Sequence, residues 1–253
     1  MSSPLPDWQL PSGVDRGLWD YLHSDDMVAG YDRQMAASPL AAADIAFCEG
    51  EFSTPGRLVD HGCGTGRLAI HFAKRGFDCV GVDLSEEMLK QARTNAGSMS
   101  VRFQSGNLTA MPEIESDSFD YAACLFSTFG MIRGDENRRA ALGEFARILK
   151  PGGRLVLHVH NRYFVRGLGL KGLFSGEVTM RQAYGGAPLT ICHFGKREVR
   201  SLLSRMGFHI GRIGPIGSES ESRFPFSPTR RGWFGTLRQP YGFLFSAMKP
   251  PAV

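Results

Sequence analysis

Short apolar segments alternate with helical segments between residues 57 and 159, and this alternation limits the fold more than any other feature of the chain. Strands joined by helices pair in parallel, because the helix carries the chain back across one face of the sheet. The pattern predicts strands at 57–60, 78–83, 101–105, 119–125 and 153–159, with helices at 66–75, 86–95 and 136–149. We therefore expect an α/β fold, a doubly wound parallel sheet with helices on both faces.

The flanking segments divide the chain into a cap and one large domain. Residues 1–54 are predicted as an N-terminal helical cap or tail that starts with a loosely held stretch rich in Pro and Ser. Residues 55–253 are predicted as the main domain, with further strands at 208–216 and 241–249. Six glycines without a clear period predict an inserted lid at 162–192.

The composition is that of a soluble globular protein, with 42% hydrophobic and 21% charged residues. No apolar run approaches the roughly 18 residues that cross a bilayer, and the first residues lack the pattern of a signal peptide. Five scattered cysteines predict free thiols in a reducing cytoplasm. No His, Cys or carboxylate group has the spacing of metal ligands, so no metal is expected.

Charge is distributed unevenly along the chain. Residues 1–150 hold 14 Lys and Arg against 21 Asp and Glu, whereas residues 151–253 hold 15 against 4. A basic surface without a partner fits this pattern, and so does a surface that faces a small anionic substrate or RNA. The loop 217–240 interleaves aromatic residues with the arginines Arg223, Arg230, Arg231 and Arg238. Such a mixture can bind RNA, hold a carboxylate or phosphate of a small substrate, or pack its aromatic residues at a domain edge.

The stretch LVDHGCGTGRLAI (58–70) places three glycines at alternate positions after a strand that ends in an acid. Backbone N–H groups at such a strand–turn–helix junction can hold an anion. Arg67 stands where the dinucleotide fingerprint requires its third glycine. The Asp60 carboxylate would repel a pyrophosphate and attract an ammonium group. A ligand with an ammonium group, a carboxylate and a ribose fits better, and S-adenosylmethionine is such a ligand.

A second acid ends the next predicted strand. Asp83 follows Gly62 by 21 residues, where a carboxylate can accept hydrogen bonds from both hydroxyls of a ribose. Ser85 and Glu86 then have the pattern of a capped helix start. Glycine turns and strand-end acids are each common, but in register they favour an adenosyl cofactor over a structural turn.

The chain resembles the class I S-adenosylmethionine-dependent methyltransferases that act on small molecules. The motifs that carry the resemblance are VDHGCGTGR (59–67), GVDLSEEML (81–89), GNLTAMP (106–112), FDYAACLFSTFG (119–130) and ARILKPGGRLVLHVHN (146–161). The resemblance implies S-adenosyl-L-methionine as cofactor and S-adenosyl-L-homocysteine as product. It also implies a Rossmann-like sheet of seven strands, mostly parallel, with an antiparallel last strand.

The same resemblance implies which residues bind the cofactor, from its methionine end to its adenine: Asp60, Gly62, Cys63, Gly64, Asp83, Leu84, Asn107, Leu108, the carbonyl near Leu125, and Tyr31 as a closing residue. Asp83 would hold the ribose, with Leu84 against the adenine. Two positions depart from the family: His61 replaces an apolar residue, and Asn107 stands where many members have Asp.

The methyl acceptor is restricted by two features. Enzymes that methylate nucleobase or amide nitrogens often carry [DNS]-P-P-[YF] after the fourth strand. This chain has LFSTFG there, without a proline, so such nitrogens are not the expected acceptors. His158 and His160 point to one face of the fifth predicted strand, near the edge where substrates bind. His160 is the predicted general base, and Asn161 is predicted to position a polar acceptor group. Packed histidines and a turn asparagine account for the same residues without catalysis.

We therefore predict a cytoplasmic enzyme that moves a methyl group from S-adenosylmethionine to an oxygen or nitrogen of a small metabolite. An RNA methyltransferase that uses the basic C-terminal half is one alternative, and a non-catalytic S-adenosylmethionine-binding protein is another. Arg67 argues against a nicotinamide dehydrogenase. The oligomeric state and the acceptor's identity stay open.

Overall fold

The computed structural model describes residues 5–36, 38–164, 175–180, 188–217 and 240–251. Its strands are β1 (Arg57–His61), β2 (Asp78–Asp83), β3 (Val101–Ser105), β4 (Phe119–Cys124), β5 (Leu149–His160), β6 (Glu177–Met180), β7 (Leu189–Cys192), β8 (His209–Ile216) and β9 (Gly242–Met248). Seven of them form one sheet in the order β3-β2-β1-β4-β5-β9-β8. β1 to β5 are parallel, and β9 is antiparallel to both of its neighbours. The predicted sheet is confirmed, including its antiparallel last strand.

Helices cover the sheet, and three of them precede its first strand in the chain. They are α1 (Arg16–Leu22), α2 (Asp25–Ala36), α3 (Pro39–Glu51), α4 (Arg67–Ala73), α5 (Glu86–Ala96), α6 (Thr128–Met131), α7 (Asp135–Ile148) and α8 (Lys196–Arg205). Local sequence sets several of the starts. The Ser85 side chain caps α5 by accepting from the Met88 N–H at 3.3 Å, and α3 begins with a proline in its first turn.

Two separate cores lie on the two faces of the sheet. On one face, Leu155 and Leu157 of β5 pack with Phe145 of α7. On the other, Val156 packs with Phe72 of α4. Because successive strand residues point to opposite faces, β5 is apolar on both sides, as a central parallel strand must be. Because β1, β2, β4 and β5 run parallel, their carboxyl ends meet at one edge of the sheet. The candidate site lies at this edge.

The flanking segments differ from the sequence-based expectation. Residues 5–13 are not a loose tail, because the carbonyl oxygens of Ser12 and Gly13 accept hydrogen bonds from Asn107 and Arg133. The predicted lid contains the antiparallel pair β6–β7, whose four-residue strands are too short to show a period in sequence. Residues 165–174, 181–187 and 218–239 lie outside the described residues, and most of the predicted lid and of the arginine-rich loop falls there.

The prediction of buried, free thiols is confirmed for all five cysteines. In the described part of the chain, no helix is both long enough and apolar enough to cross a membrane.

Candidate active site

The glycine loop joins β1 to α4 and depends on positive backbone angles. Gly62, Gly64 and Gly66 have φ values of 69°, 53° and 85°, a region that glycine enters at little cost. The Gly62 N–H donates to the carbonyl of Val82 at 2.8 Å, which holds the turn against β2. A Cβ atom on Gly62 would lie 2.3 Å from Cγ2 of Thr128. Position 62 therefore requires glycine for both conformation and space.

Asp83 locks this loop from the end of β2. Its Oδ2 accepts from the Gly64 N–H at 2.8 Å and its Oδ1 from the Ser85 N–H at 3.0 Å. Burial raises the pKa of Asp83, and these backbone hydrogen bonds oppose the rise. Each carboxylate oxygen has a second lone pair, so Asp83 can still accept from two ribose hydroxyls.

A cleft lies beside Asp83 at the carboxyl edge of the sheet, the position where ligands bind in open α/β sheets. Its lining comes from the glycine loop, the ends of β2 and β3, α5, α6 and the N-terminal segment: Ser12, Gly13, Val14, Leu18, Tyr21, Leu22, Tyr31, Gly62, Gly64, Asp83, Leu84, Met88, Gly106, Asn107, Leu108, Thr128, Met131 and Ile132. A smaller cavity shares three of these residues, Tyr31, Gly62 and Thr128.

The smaller cavity is lined by an acidic and a basic side chain. Asp60 is 3% exposed, and burial raises its pKa to about 7, against the nearby Arg67 guanidinium and a hydrogen bond from the Ala69 backbone. Arg67 lines the same cavity and is anchored on α3 by a 2.6 Å hydrogen bond to the carbonyl of Ala41. A carboxyl and a guanidinium match the ammonium and carboxylate of an amino acid. Sequence reasoning used Arg67 only to exclude a dinucleotide and missed this arrangement.

The turn after β4 contributes to both cavities: Leu125 and Phe126 line the smaller one, and Thr128 lines both. The carbonyl of Leu125 accepts from the Thr128 N–H at 3.1 Å, which leaves one lone pair. Phe126 and Ser127 have φ values of 51° and 62°, a conformation that is uncommon for residues with a side chain and that clusters at functional sites. The sequence LFSTFG gave no signal of this backbone.

Asn107 follows β3 and lines the cleft. Its Oδ1 accepts from the Thr109 N–H at 3.1 Å, and its Nδ2 donates to the Ser12 carbonyl at 2.9 Å. Both ends of the amide are therefore engaged, one with its own turn and one with the N-terminal segment.

The two predicted histidines differ in their surroundings. His158 is fully buried under α3, with its Nδ1 2.8 Å from Oδ1 of the equally buried Asp44. The His160 ring is 5% exposed and has no hydrogen-bond partner on either nitrogen among the described residues. Its centroid lies 5.1 Å from that of His193 and 4.5 Å from that of Tyr241. Burial, followed by the neighbouring His193 and His158, lowers the pKa of His160 well below its usual value.

Asn161 ties together the chain segments around His160. Its Nδ2 donates to the Pro240 carbonyl at 2.9 Å, and its Oδ1 accepts from the Tyr163 N–H at 3.0 Å. Its own backbone N–H donates to the Tyr241 carbonyl at 2.8 Å. These bonds fix the end of β5 against the start of β9.

Comparison with known proteins identifies the family of the chain. A family model described as a methyltransferase domain matches residues 58–153. A demethylmenaquinone methyltransferase of Thermus thermophilus is 32% identical over 174 residues, which cover 62% of this chain and 76% of that protein. The chain belongs to the class I S-adenosylmethionine-dependent methyltransferases. Its cofactor is S-adenosyl-L-methionine, and the product of methyl donation is S-adenosyl-L-homocysteine.

Two further relatives of this methyltransferase extend the comparison. A ubiquinone biosynthesis O-methyltransferase of Alkalilimnicola ehrlichii is 33% identical over 127 residues, 49% of each chain. The matches with three of the curated relatives span between 40% and 51% of their length. The solved 1,6-didemethyltoxoflavin-N1-methyltransferase of Burkholderia thailandensis, which contains S-adenosylhomocysteine, is 15% identical with a TM-score of 0.63. That alignment covers 99% of this chain and 93% of the other, and it shows a shared fold.

The structure brings together all ten residues predicted for the cofactor. Seven line the cleft and the other three line the smaller cavity: Tyr31, Gly62, Gly64, Asp83, Leu84, Asn107 and Leu108, then Asp60, Cys63 and Leu125. His158, His160 and Asn161 line neither cavity. In this methyltransferase the residues that sequence reasoning missed are Arg67, Thr128 and the N-terminal wall of the cleft. Arg67 and Thr128 lie within motifs that carry the resemblance, but those motifs did not assign a role to either side chain.

Proposed function

We propose that this methyltransferase moves the methyl group to a hydroxyl oxygen or an amine nitrogen of a small metabolite, with His160 as the general base. The observation that carries the proposal is the buried His160 ring, whose two nitrogens have no partner among the described residues. An unpartnered buried polar group costs about 1–3 kcal/mol. A bound acceptor would supply the missing hydrogen bond.

The chemistry suits an imidazole of low basicity. With its pKa well below the usual value, the His160 ring is neutral at pH 7 and keeps a lone pair for a proton. When bound, S-adenosylmethionine supplies a methyl group that is already activated on a sulfonium. The acceptor's O–H or N–H becomes strongly acidic as the oxygen or nitrogen binds the methyl carbon, so a weak base is sufficient.

The position of His160 supports the same proposal. Its backbone N–H lies 3.4 Å from Oγ of Ser127, and the next residue, Thr128, lines both cavities. The Tyr241 ring lies tilted against the His160 ring, and Phe164 packs edge-on against Tyr241. An apolar wall with few polar groups is typical of small-molecule sites. The name of the Alkalilimnicola ehrlichii relative, an O-methyltransferase, supports oxygen as the acceptor atom.

The first test is a screen of hydroxylated and amine metabolites with methyl-labelled S-adenosylmethionine, followed by His160→Gln on any acceptor found. We expect kcat to fall by about 100-fold or more, because proton transfer is lost, while affinity for S-adenosylhomocysteine stays within about twofold. His209→Gln is the matched control, since His209 is an exposed histidine on β8.

The pH profile of kcat/KM gives a second reading of the same base. The neutral ring is the active form, and a lowered pKa keeps it neutral to lower pH, so the acid limb should lie below pH 6.5 and vanish in His160→Gln. Undiminished turnover in His160→Gln would remove His160 from the mechanism.

A further inference from the structure

One wall of the cofactor cleft comes from outside the sheet. Residues 12–22 supply six lining positions, Ser12, Gly13, Val14, Leu18, Tyr21 and Leu22. Asp83 and Leu84 line the same cleft. Whether a ligand in the cleft stays covered therefore depends on what fastens these residues to the turns at the carboxyl edge of the sheet.

The first fastening is the Asn107 amide. Its Nδ2 donates to the Ser12 carbonyl at 2.9 Å, while its Oδ1 accepts from the Thr109 N–H. A carboxylate at this position could repeat the second bond, but it has no proton for the first. Two acceptor oxygens would then face each other at hydrogen-bond distance.

The second fastening is Arg133, in the loop between α6 and α7. Its backbone N–H donates to the Gly13 carbonyl at 2.8 Å. Its side chain joins Asp15 through Nε at 3.1 Å and Glu177 of β6 through Nη2 at 3.1 Å. Asp15 also caps α1 by accepting from the Leu18 N–H at 2.8 Å. Arg133 thus links the wall to β6 as well as to the α6–α7 loop.

A third contact holds the far end of the wall. The Ser85 hydroxyl, directly after the ribose-side acid Asp83, donates to the Leu22 carbonyl at 2.7 Å. Gly13 is buried, and a Cβ there would lie 3.0 Å from Cγ2 of Ile132. The wall is therefore seated closely on the β3–β4 and α6–α7 turns rather than lying loosely over them.

We propose that Asn107 and Arg133 are positioning residues that hold residues 12–22 closed over the bound cofactor, and that position 107 carries an amide because closure needs a donor toward the Ser12 carbonyl. This assignment rests on the cofactor occupying the cleft. It adds to Asn107 a function apart from contact with the adenine, and it gives Arg133 a function although Arg133 does not line the cleft.

Asn107→Asp separates the two functions of Asn107, because they predict opposite results. If residue 107 acts only on the adenine, Asp accepts from the exocyclic amine as well as Asn does, and release of S-adenosylhomocysteine is unchanged or slower. If it holds the wall, release becomes faster, by about tenfold for one lost hydrogen bond beside a new repulsion. The rate is measured by stopped flow, with displacement by excess unlabelled S-adenosylmethionine.

Arg133→Met tests the second fastening without a change at the cleft surface. Release should become faster, and it should lose the salt dependence that the wild-type protein shows as its ion pairs are screened. Arg139→Met, an exposed arginine of α7, is the matched control and should behave as wild type. Thermal unfolding of the ligand-free variants, with midpoints close to wild type, shows that each chain is folded.

Unchanged or slower release in Asn107→Asp, or an unchanged rate and salt dependence in Arg133→Met, would overturn the proposal. These rates involve no methyl acceptor, so they do not depend on His160. Loss of turnover in His160→Gln with normal release would leave this inference intact. A wild-type protein that bound no S-adenosylhomocysteine would remove its basis.

Discussion

At the scale of single residues, His61 shows a local conflict that the fold tolerates. It ends β1, is fully buried and stacks on Phe145 with a centroid distance of 4.1 Å. Neither ring nitrogen has a partner within the described residues, and burial lowers its pKa to about 3. The sequence marked His61 as unusual for its position, but it could not show that the ring faces an aromatic core instead of the cleft.

His61→Leu should therefore stabilise the protein by about 1–3 kcal/mol at pH 7, since it removes unpaired polar atoms at nearly constant volume. The folded pKa lies below the unfolded value near 6.5, so the unfolded state takes up the proton first as the pH falls. The advantage of the variant should then grow by about 1.4 kcal/mol per pH unit below pH 6.5.

Urea denaturation at pH 7.5 and pH 5.5 measures both effects. His209→Leu serves as the control, because His209 is exposed and its replacement should change little. A destabilised His61→Leu would mean that a water or a rearranged partner satisfies the ring.

At the scale of elements, the β1–α4 turn was the part of the site that sequence predicted best. Three glycines at alternate positions predict a cradle, and all three adopt positive φ. The close approach of Thr128 to Gly62 could not be predicted, because α6 reaches the loop from the end of another strand. The spacing of the glycines predicts the backbone conformation of one turn. Contacts between different turns depend on the order of the strands in the sheet.

Gly62→Ala tests how much of the glycine requirement comes from space. The left-handed conformation alone costs about 1–2 kcal/mol, and the contact with Thr128 should add to it and weaken cofactor binding. Gly76→Ala is the matched control: its φ is 85°, and no atom lies within 4 Å of a Cβ there. It should lose stability only.

Calorimetry and denaturation of both variants separate the two terms. Thr128→Ser in the Gly62→Ala background should recover part of the loss, because it removes the Cγ2 atom. Equal effects of the two glycine substitutions on cofactor affinity would show that the contact with Thr128 is unimportant.

At the scale of the whole molecule, the sheet followed from the order of strands and helices, and the ten predicted cofactor residues lie around two adjoining cavities. What sequence could not predict depends on distant pairs. Asn107 meets Ser12 across 95 positions in the chain. His158 meets Asp44 under α3, and that pairing distinguishes it from His160 two residues later. The histidine spacing alone predicted one shared face for both.

The placement of the cofactor is tested most directly by calorimetric titration of S-adenosylhomocysteine into wild type, Asp83→Ala and Asp78→Ala. Asp78 lies at the other end of β2 and makes surface ion pairs with Arg57 and Arg102, so its loss should leave the affinity unchanged. Loss of Asp83 should weaken binding by about 1–3 kcal/mol, because the ribose hydroxyls lose their acceptor and the glycine loop its lock. Equal affinity in Asp83→Ala and wild type would place the cofactor outside this cleft.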